Sequence, residues 1–479
     1  MKSRRTSSRM RKAGHDGMSP KSAFRASVVQ RTSKARRSCE NLAPRRGDAR
    51  GEETIMMERR AGEGSSSHAI LLGAIVALSM GGCGSAGSVE SSTGSGTTSS
   101  SGGSGGATSS SAGGSGGTMV DAGPPEITPG EPIEGDDGAW TYVAIPEGYC
   151  RDGVPAHLMA HLNHSSKKIA IYLEGGGACF NDASCKLLTF DFPSYVLGGG
   201  IFNFNRPDNP IRDWNVFYIP YCTGDVHAGM NAAGEPGPIT GKQNYTGYSN
   251  MKLYLSRILA TVPDATDELL TGSSAGGFGV GLTADLVARN APATVERFTM
   301  LDDSGQPMSS QYIVPCLQDQ WRKVWGFDNT FLGDCGASCP TSNDYVFDWM
   351  GYLMNKYTKG PFGKKFMGGL ISWTGDGIIS TFYGFGANNC NAAVPVPLSS
   401  AKFEAGLLEF RGNVQTQTNA FGTYYAGGTS HTFLMQDSSG IVQGLGLLGG
   451  LYDTEVNGVK LVDWIRDLLD HKQAAHIGP

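Results

Sequence analysis

The segment Gly272-Ser273-Ser274-Ala275-Gly276-Gly277 stands between the apolar run Asp267-Glu268-Leu269-Leu270-Thr271 and a helix-forming run through Arg289. A strand that reverses into a helix within one residue needs small neighbours, because bulky side chains beside the turn meet the incoming helix. The Gly-x-Ser-x-Gly spacing satisfies that demand and leaves Ser274 in a strained conformation at the tip of the turn, as in a nucleophile elbow. It commits the chain to a sheet whose strand feeds a helix directly, and it marks Ser274 as the candidate nucleophile. The spacing alone is a weak signal in a chain with 69 glycines. The strand before it and the helix after it carry the assignment.

The rest of the 479 residues divides by composition. Residues 1–56 are basic and irregular and read as a leader that is non-native or disordered. Residues 57–82 read as an export signal, with Met57-Glu58-Arg59-Arg60 ahead of an apolar core from Ala69 to Leu78. That core is too short to span a bilayer comfortably as a permanent helix. It ends at Met80-Gly81-Gly82-Cys83, which resembles a bacterial lipobox and makes Cys83 the expected lipidation site. A cleaved signal with an incidental cysteine is the alternative. Residues 83–139 are Gly/Ser-rich, then acidic and Pro-rich, and read as a tether. The hydrolase domain is expected over 140–472, with 473–479 as a tail.

Residues 1–82 hold 17 of the 39 Lys and Arg but only 7 of the 44 Asp and Glu, which leaves 22 against 37 and a net charge of −15 beyond them. So acidic an exported chain is a poor nucleic-acid binder. Without Cys39 and Cys83, eight cysteines remain: Cys150, Cys179, Cys185, Cys222, Cys316, Cys335, Cys339 and Cys390. An even number behind an export signal points to disulfides, and the 105 possible pairings leave the connectivity open. Metal binding by Cys335-x3-Cys339 lacks a second ligand pair at finger-like spacing.

Apolar runs at 168–173, 215–219, 267–271, 297–301, 366–373 and 421–426 read as strands, the last of them at 421–426. Met251, Leu255, Ile258 and Leu259 fall at helical spacing, 277–289 continues the elbow, and 459–469 reads as a closing helix. Alternating strand and helix predicts an α/β fold with a mainly parallel sheet and helices on both faces. Residues 308–365 carry three cysteines and many aromatics without a clear strand, and are expected to form a disulfide-pinned helical cap near the site.

A serine nucleophile needs a base, and the base needs an orienting acid. In the order Ser, acid, His, the base follows the nucleophile. Only His431, His471 and His476 follow Ser274, and the last two lie at the C-terminal end. His431 sits in a loop just past the 421–426 run and is the expected base. Asp376, after the 366–373 run, is the preferred acid, with Asp303 as runner-up. The glycine run in Leu173-Glu174-Gly175-Gly176-Gly177-Ala178-Cys179 follows a strand directly. Gly176, Gly177 and Ala275 are therefore the expected oxyanion donors. No Lys-Ser/Thr follows to make a phosphate loop. His157, His161 and His164 would share a helical face and invite a zinc reading, but the turn residues around them fit a hairpin better. His227, in Tyr221-Cys222-Thr223-Gly224-Asp225-Val226-His227, lies upstream of Ser274, a poorer position for the base.

Taken together, the glycine run with Ser184-Cys185, the Tyr221–Asp225 segment, the elbow and Ser430-His431-Thr432 resemble the pectin acetylesterase/Notum family over roughly Trp140 to Leu469. The resemblance implies an α/β-hydrolase-type carboxylesterase with a Ser-Asp-His triad and no cofactor. Ser274 matches the family nucleophile, His431 the base and Asp376 the acid. Plant members commonly carry Trp after the glycine run and animal Notum proteins an aromatic nearby, where this chain has Ala178. The expectation is an exported esterase that removes short acyl groups, acetyl first, from an acylated carbohydrate. It is expected to act as a monomer, to touch membrane only through a lipid anchor, and to need no metal. A lipase or peptidase on the same scaffold, or a non-catalytic binding protein on a decayed hydrolase fold, are the alternatives.

Overall fold

The apolar runs pair into one nine-stranded sheet. The computed structural model describes residues 126–187, 197–340, 342–359, 365–392, 394–442 and 446–479. The sheet contains β1 (Trp140–Tyr149), β2 (Pro155–His161), β3 (Lys168–Leu173), β4 (Asn215–Ile219), β5 (Asp267–Ser273), β6 (Arg297–Asp303), β7 (Phe366–Trp373), β8 (Phe421–Ala426) and β9 (His476–Ile477). Their order across it is β1-β2-β4-β3-β5-β6-β7-β8-β9. β2 runs antiparallel to β1 and β4, and every other neighbouring pair is parallel.

Parallel neighbours require crossovers, and helices supply them. α1 (Gly247–Thr261) precedes β5 and α2 (Ala275–Asn290) follows it. α3 (Pro315–Trp325) and α4 (Tyr345–Lys359) lie between β6 and β7, and α5 (Gly377–Tyr383) and α6 (Ser400–Gln417) between β7 and β8. α7 (Leu461–Leu469) leads into β9. Strand alternation sorts the core into two layers. Ile169, Ile171 and Leu173 of β3 pack with Leu255 and Ile258 of α1 and Val280 of α2. Ala170 and Tyr172 point the other way, into the layer holding Trp464, Ile465 and Leu468 of α7. Both faces are covered, which is why the strands read as continuous apolar runs. Among the described residues, no helix is long and apolar enough to cross a membrane.

Residues 1–125, with the expected leader, signal, Cys83 and most of the tether, lie outside the described residues. The last part of the expected tether is packed. Ile127 and Ile133 are buried, and their amides donate to Asn290 Oδ1 at 2.9 Å and Thr261 Oγ1 at 2.8 Å. The acidic, Pro-rich composition hid this, because only two apolar residues do the docking. The expected tail likewise supplies β9, so 421–426 is not the last strand, and Arg411 bonds the carbonyls of Ile477 and Pro479. Asp302 and Asp303 belong to β6 rather than ending it, since the β5 pairing extends to Ser273 opposite Asp303. His157 and His161 lie on the second strand of a hairpin, with His157 stacked on Tyr142 and His161 on Phe204.

All eight expected cysteines pair: Cys150–Cys222, Cys179–Cys185, Cys316–Cys390 and Cys335–Cys339. The first ties the β1–β2 turn to the loop after β4. The third staples the start of α3 to the segment after α5.

Candidate active site

The parallel strands all finish at one edge of the sheet, where doubly wound sheets bind their ligands. The expected site residues arrive there from four different strands. Ser274 follows β5 with φ 59° and ψ −119°, an unfavourable region for a residue with a side chain. The elbow is held by its surroundings. Ser274 N–H donates to the Asp303 carbonyl at 2.7 Å, and a Cβ on Gly276 would lie 1.9 Å from the Leu173 carbonyl oxygen. Only glycine permits that approach, so the strain at Ser274 is imposed by close strand–helix packing.

Asp376 caps α5. Its Oδ1 accepts from the amides of Ile378 and Ile379, each at 3.0 Å, which fixes the carboxylate. Its Oδ2 lies 2.7 Å from His431 Nδ1, and both residues are buried. Burial alone would push the His431 imidazole down. The charge of Asp376 and its hydrogen bond, with Asp303 adding to them, outweigh that and raise its pKa above 6.5. Asp303, the alternative acid, makes no hydrogen bond to His431. It accepts instead from the amides of Phe433 and Leu434. Among the described residues the Ser274 hydroxyl makes no hydrogen bond, so of the expected Ser-His-Asp relay only the Asp376–His431 contact is formed. Nucleophile–base bonds often tighten only when substrate is bound.

Gly176 and Gly177 have φ of 157° and 90°. The conformation at Gly177 suits glycine and lets bare backbone approach the elbow. Ala275 opens α2, where helix amides lack intrahelical acceptors. Gly177, Ser274 and Ala275 line one pocket together. His227 is buried, and burial lowers its pKa to about 4, so it is neutral. Its Nε2 lies 2.8 Å from the Glu174 carbonyl, at the start of the glycine run, and it supports that loop rather than serving Ser274.

The pocket itself went unread in the sequence. A cavity of about 40 Å³ opens beside Ser274, lined by Phe278 and Leu282 of α2, Trp321 and Trp325 of α3, and Phe382 and Tyr383 of α5. Its walls are almost wholly apolar. Ala178 is part of the lining, so the small residue after the glycine run leaves room where an aromatic would intrude. The Leu317, Trp321, Trp325 spacing, one residue per helical turn, was the available signal for an apolar wall. Nothing in the sequence showed that it would face Ser274.

Residues 139–330 match the pectinacetylesterase family model. The resemblance carried by the motifs is thus found over the part of the fold that holds the glycine run, Asp303 and Ser274; Asp376 and His431 lie beyond it. The palmitoleoyl-protein carboxylesterase NOTUM of Homo sapiens is 32% identical over 151 residues, 29% of each chain. That of Schmidtea mediterranea is 31% identical over 170 residues, 31% of this chain and 30% of that one. The match thus spans less than a third of these relatives' length. A solved structure of the Wnt deacylase Notum from Drosophila covers 71% of this chain and 95% of its own at 19% identity and a TM-score of 0.48, a likeness too loose to bear on the site.

Proposed function

We propose that this chain is an exported serine carboxylesterase acting on acyl esters, with Ser274 as nucleophile, His431 as base and Asp376 as orienting acid. The observation that carries the reading is the 2.7 Å contact between Asp376 and His431 at the sheet edge that also presents the strained Ser274. In this reading Ser274 Oγ attacks the ester carbonyl and His431 Nε2 takes its proton. The carbonyl oxygen becomes an oxyanion beside the amides of Gly176, Gly177 and Ala275. The alcohol leaves with the proton from His431, and water then releases the acid from the acyl-enzyme by the same route. Four disulfides support an oxidising destination, consistent with the export signal.

The lining of the pocket favours an aliphatic acyl chain over the acetyl expected from sequence. Its walls are almost wholly apolar, which suits an aliphatic chain and offers an acetyl ester few polar contacts. The names of the NOTUM relatives specify a palmitoleoyl ester on protein. For this chain we commit to the acyl part alone: a medium or long aliphatic chain, bound beneath α3 and α5. Hydrolysis rates for p-nitrophenyl esters from acetyl to palmitoyl test both halves. Turnover of any ester by Ser274→Ala at the wild-type rate sinks the nucleophile, and kcat/KM highest for acetyl sinks the acyl-chain reading.

A further inference from the structure

Asp303 lies at the end of β6, fully buried, and bonds to both of the loops that carry the proposed chemistry. Its main-chain carbonyl accepts the amide of Ser274 at 2.7 Å. Its Oδ2 accepts Ser273 Oγ at 2.7 Å, Phe433 N at 2.9 Å and Leu434 N at 3.0 Å, and its Oδ1 accepts Ser304 Oγ at 3.1 Å. Ser273 Oγ in turn accepts from Tyr172 OH at 2.8 Å, which directs the serine proton onto Asp303. Four donors face the carboxyl group, as suits an ionised carboxylate. Two successive amides converge on one oxygen because Thr432, directly after His431, adopts φ 53°. Such a turn makes an anion-binding nest.

We propose that Asp303 is a positioning residue, one that sets the approach of His431 to Ser274 by bonding the backbone beyond the first and the elbow of the second. This rests on the serine-esterase reading. Asp376 governs the rotation of the imidazole through Nδ1, but a bond to one ring nitrogen does not fix where the loop lies. The His431 amide is held by the Leu447 carbonyl, and Asp303 ties that loop to the elbow, because its side chain holds residues 433 and 434 while its main chain holds residue 274. Proton transfer needs heavy atoms within about 2.6–3.2 Å, and a displacement of about 1 Å can cost about 100-fold in rate. The charged and titratable groups around Asp303 are Tyr172, Asp302 and His431, and its negative charge adds to that of Asp376 in favouring the imidazolium.

The test uses Asp303→Ala and Asp303→Asn in the full chain, with p-nitrophenyl octanoate as the probe. Asp303→Ala is expected to lower kcat by about 100-fold with KM within about twofold. Asp303→Asn keeps an acceptor for Phe433 and Leu434 but loses the charge. It is expected to lose less kcat, and in both variants the acid limb of kcat/KM should move to lower pH. Wild-type kcat and acid limb in a cooperatively melting variant, or a loss carried by KM alone, overturns the role. Should Asp303→Ala fail to fold, Asp303→Asn decides on the same two readouts. Ser274→Ala, assayed alongside, separates the two levels: activity persisting there removes the serine mechanism itself, whereas its loss together with unaffected Asp303 variants removes only the positioning role.

Discussion

Asp376 and His431 are 55 residues apart in sequence and meet at 2.7 Å because β7 and β8 lie side by side with Trp373 opposite Ala426. Each residue sits a few positions past the end of its strand, so the strand pairing alone brings the two loops together.

That contact predicts a pH profile. As the proposed base, His431 would work only when neutral, and its pKa is raised above 6.5 because Asp376 and Asp303 outweigh the effect of burial. The acid limb of kcat/KM should therefore have its midpoint above 6.5. Asp376→Asn should move it to lower pH and reduce kcat by up to about 10⁴ through loss of the correct tautomer. Unchanged activity in that variant would return the acid role to another group.

Ala178 should control chain length. It lines the cavity beside Gly177, and in the proposed reading a tryptophan there would occupy space that the aliphatic chain needs. Ala178→Trp is expected to lower kcat/KM for p-nitrophenyl octanoate by about tenfold or more, in line with the cost of filling an apolar pocket. Hydrolysis of p-nitrophenyl acetate should change far less. An equal loss on both substrates would mean that the substitution disturbs the glycine loop instead.

Glu268, on β5, is buried with neither carboxylate oxygen bonded, and burial raises its pKa from 4.5 to about 8. The unfolded chain gives up this proton near 4.5 while the folded chain keeps it to about 8. Between those values the unfolded state binds fewer protons, so stability falls as pH rises, and it levels off above the folded pKa. Glu268→Gln cannot ionise and should remove this slope. We expect it to be more stable than wild type by on the order of 4 kcal/mol at pH 8, and equal to it below pH 4, in urea denaturation. A wild-type slope in the variant would show that Glu268 is solvated.

The start of the domain can be tested by truncation. Chains beginning at residue 126 and at residue 140 differ by Ile127 and Ile133, each buried, and by their bonds to α1 and α2. The shorter chain should lose about 3 kcal/mol or more in urea denaturation, since each buried isoleucine contributes about 1.5–3 kcal/mol. Equal stability would make 126–139 a tether after all.

Much of the site was legible because its signals are local. Glycines flanking Ser274 are demanded by one turn, the glycine run by one backbone approach, and His431 is the only downstream histidine outside the last few residues. The choice between Asp303 and Asp376 was not local. Both come shortly after an apolar run, and the sequence offered only the usual order of elements. The boundaries at 126 and 476 were missed because a few residues dock those segments, too few to show periodicity. The aromatic wall of α3 was visible as a helical stripe without a destination.

The sequence by itself determined the groups available for the proposed chemistry and the order in which they come: glycine amides, hydroxyl, carboxylate, imidazole, on alternating strands and helices. Only the tertiary structure decided which carboxylate meets the imidazole, which cysteines pair, and that α3 and α5 enclose an apolar pocket beside Ser274. The physical reason is that local steric demands are written in neighbouring residues, whereas a contact between distant ones depends on the order in which the strands pair and the faces the helices bury.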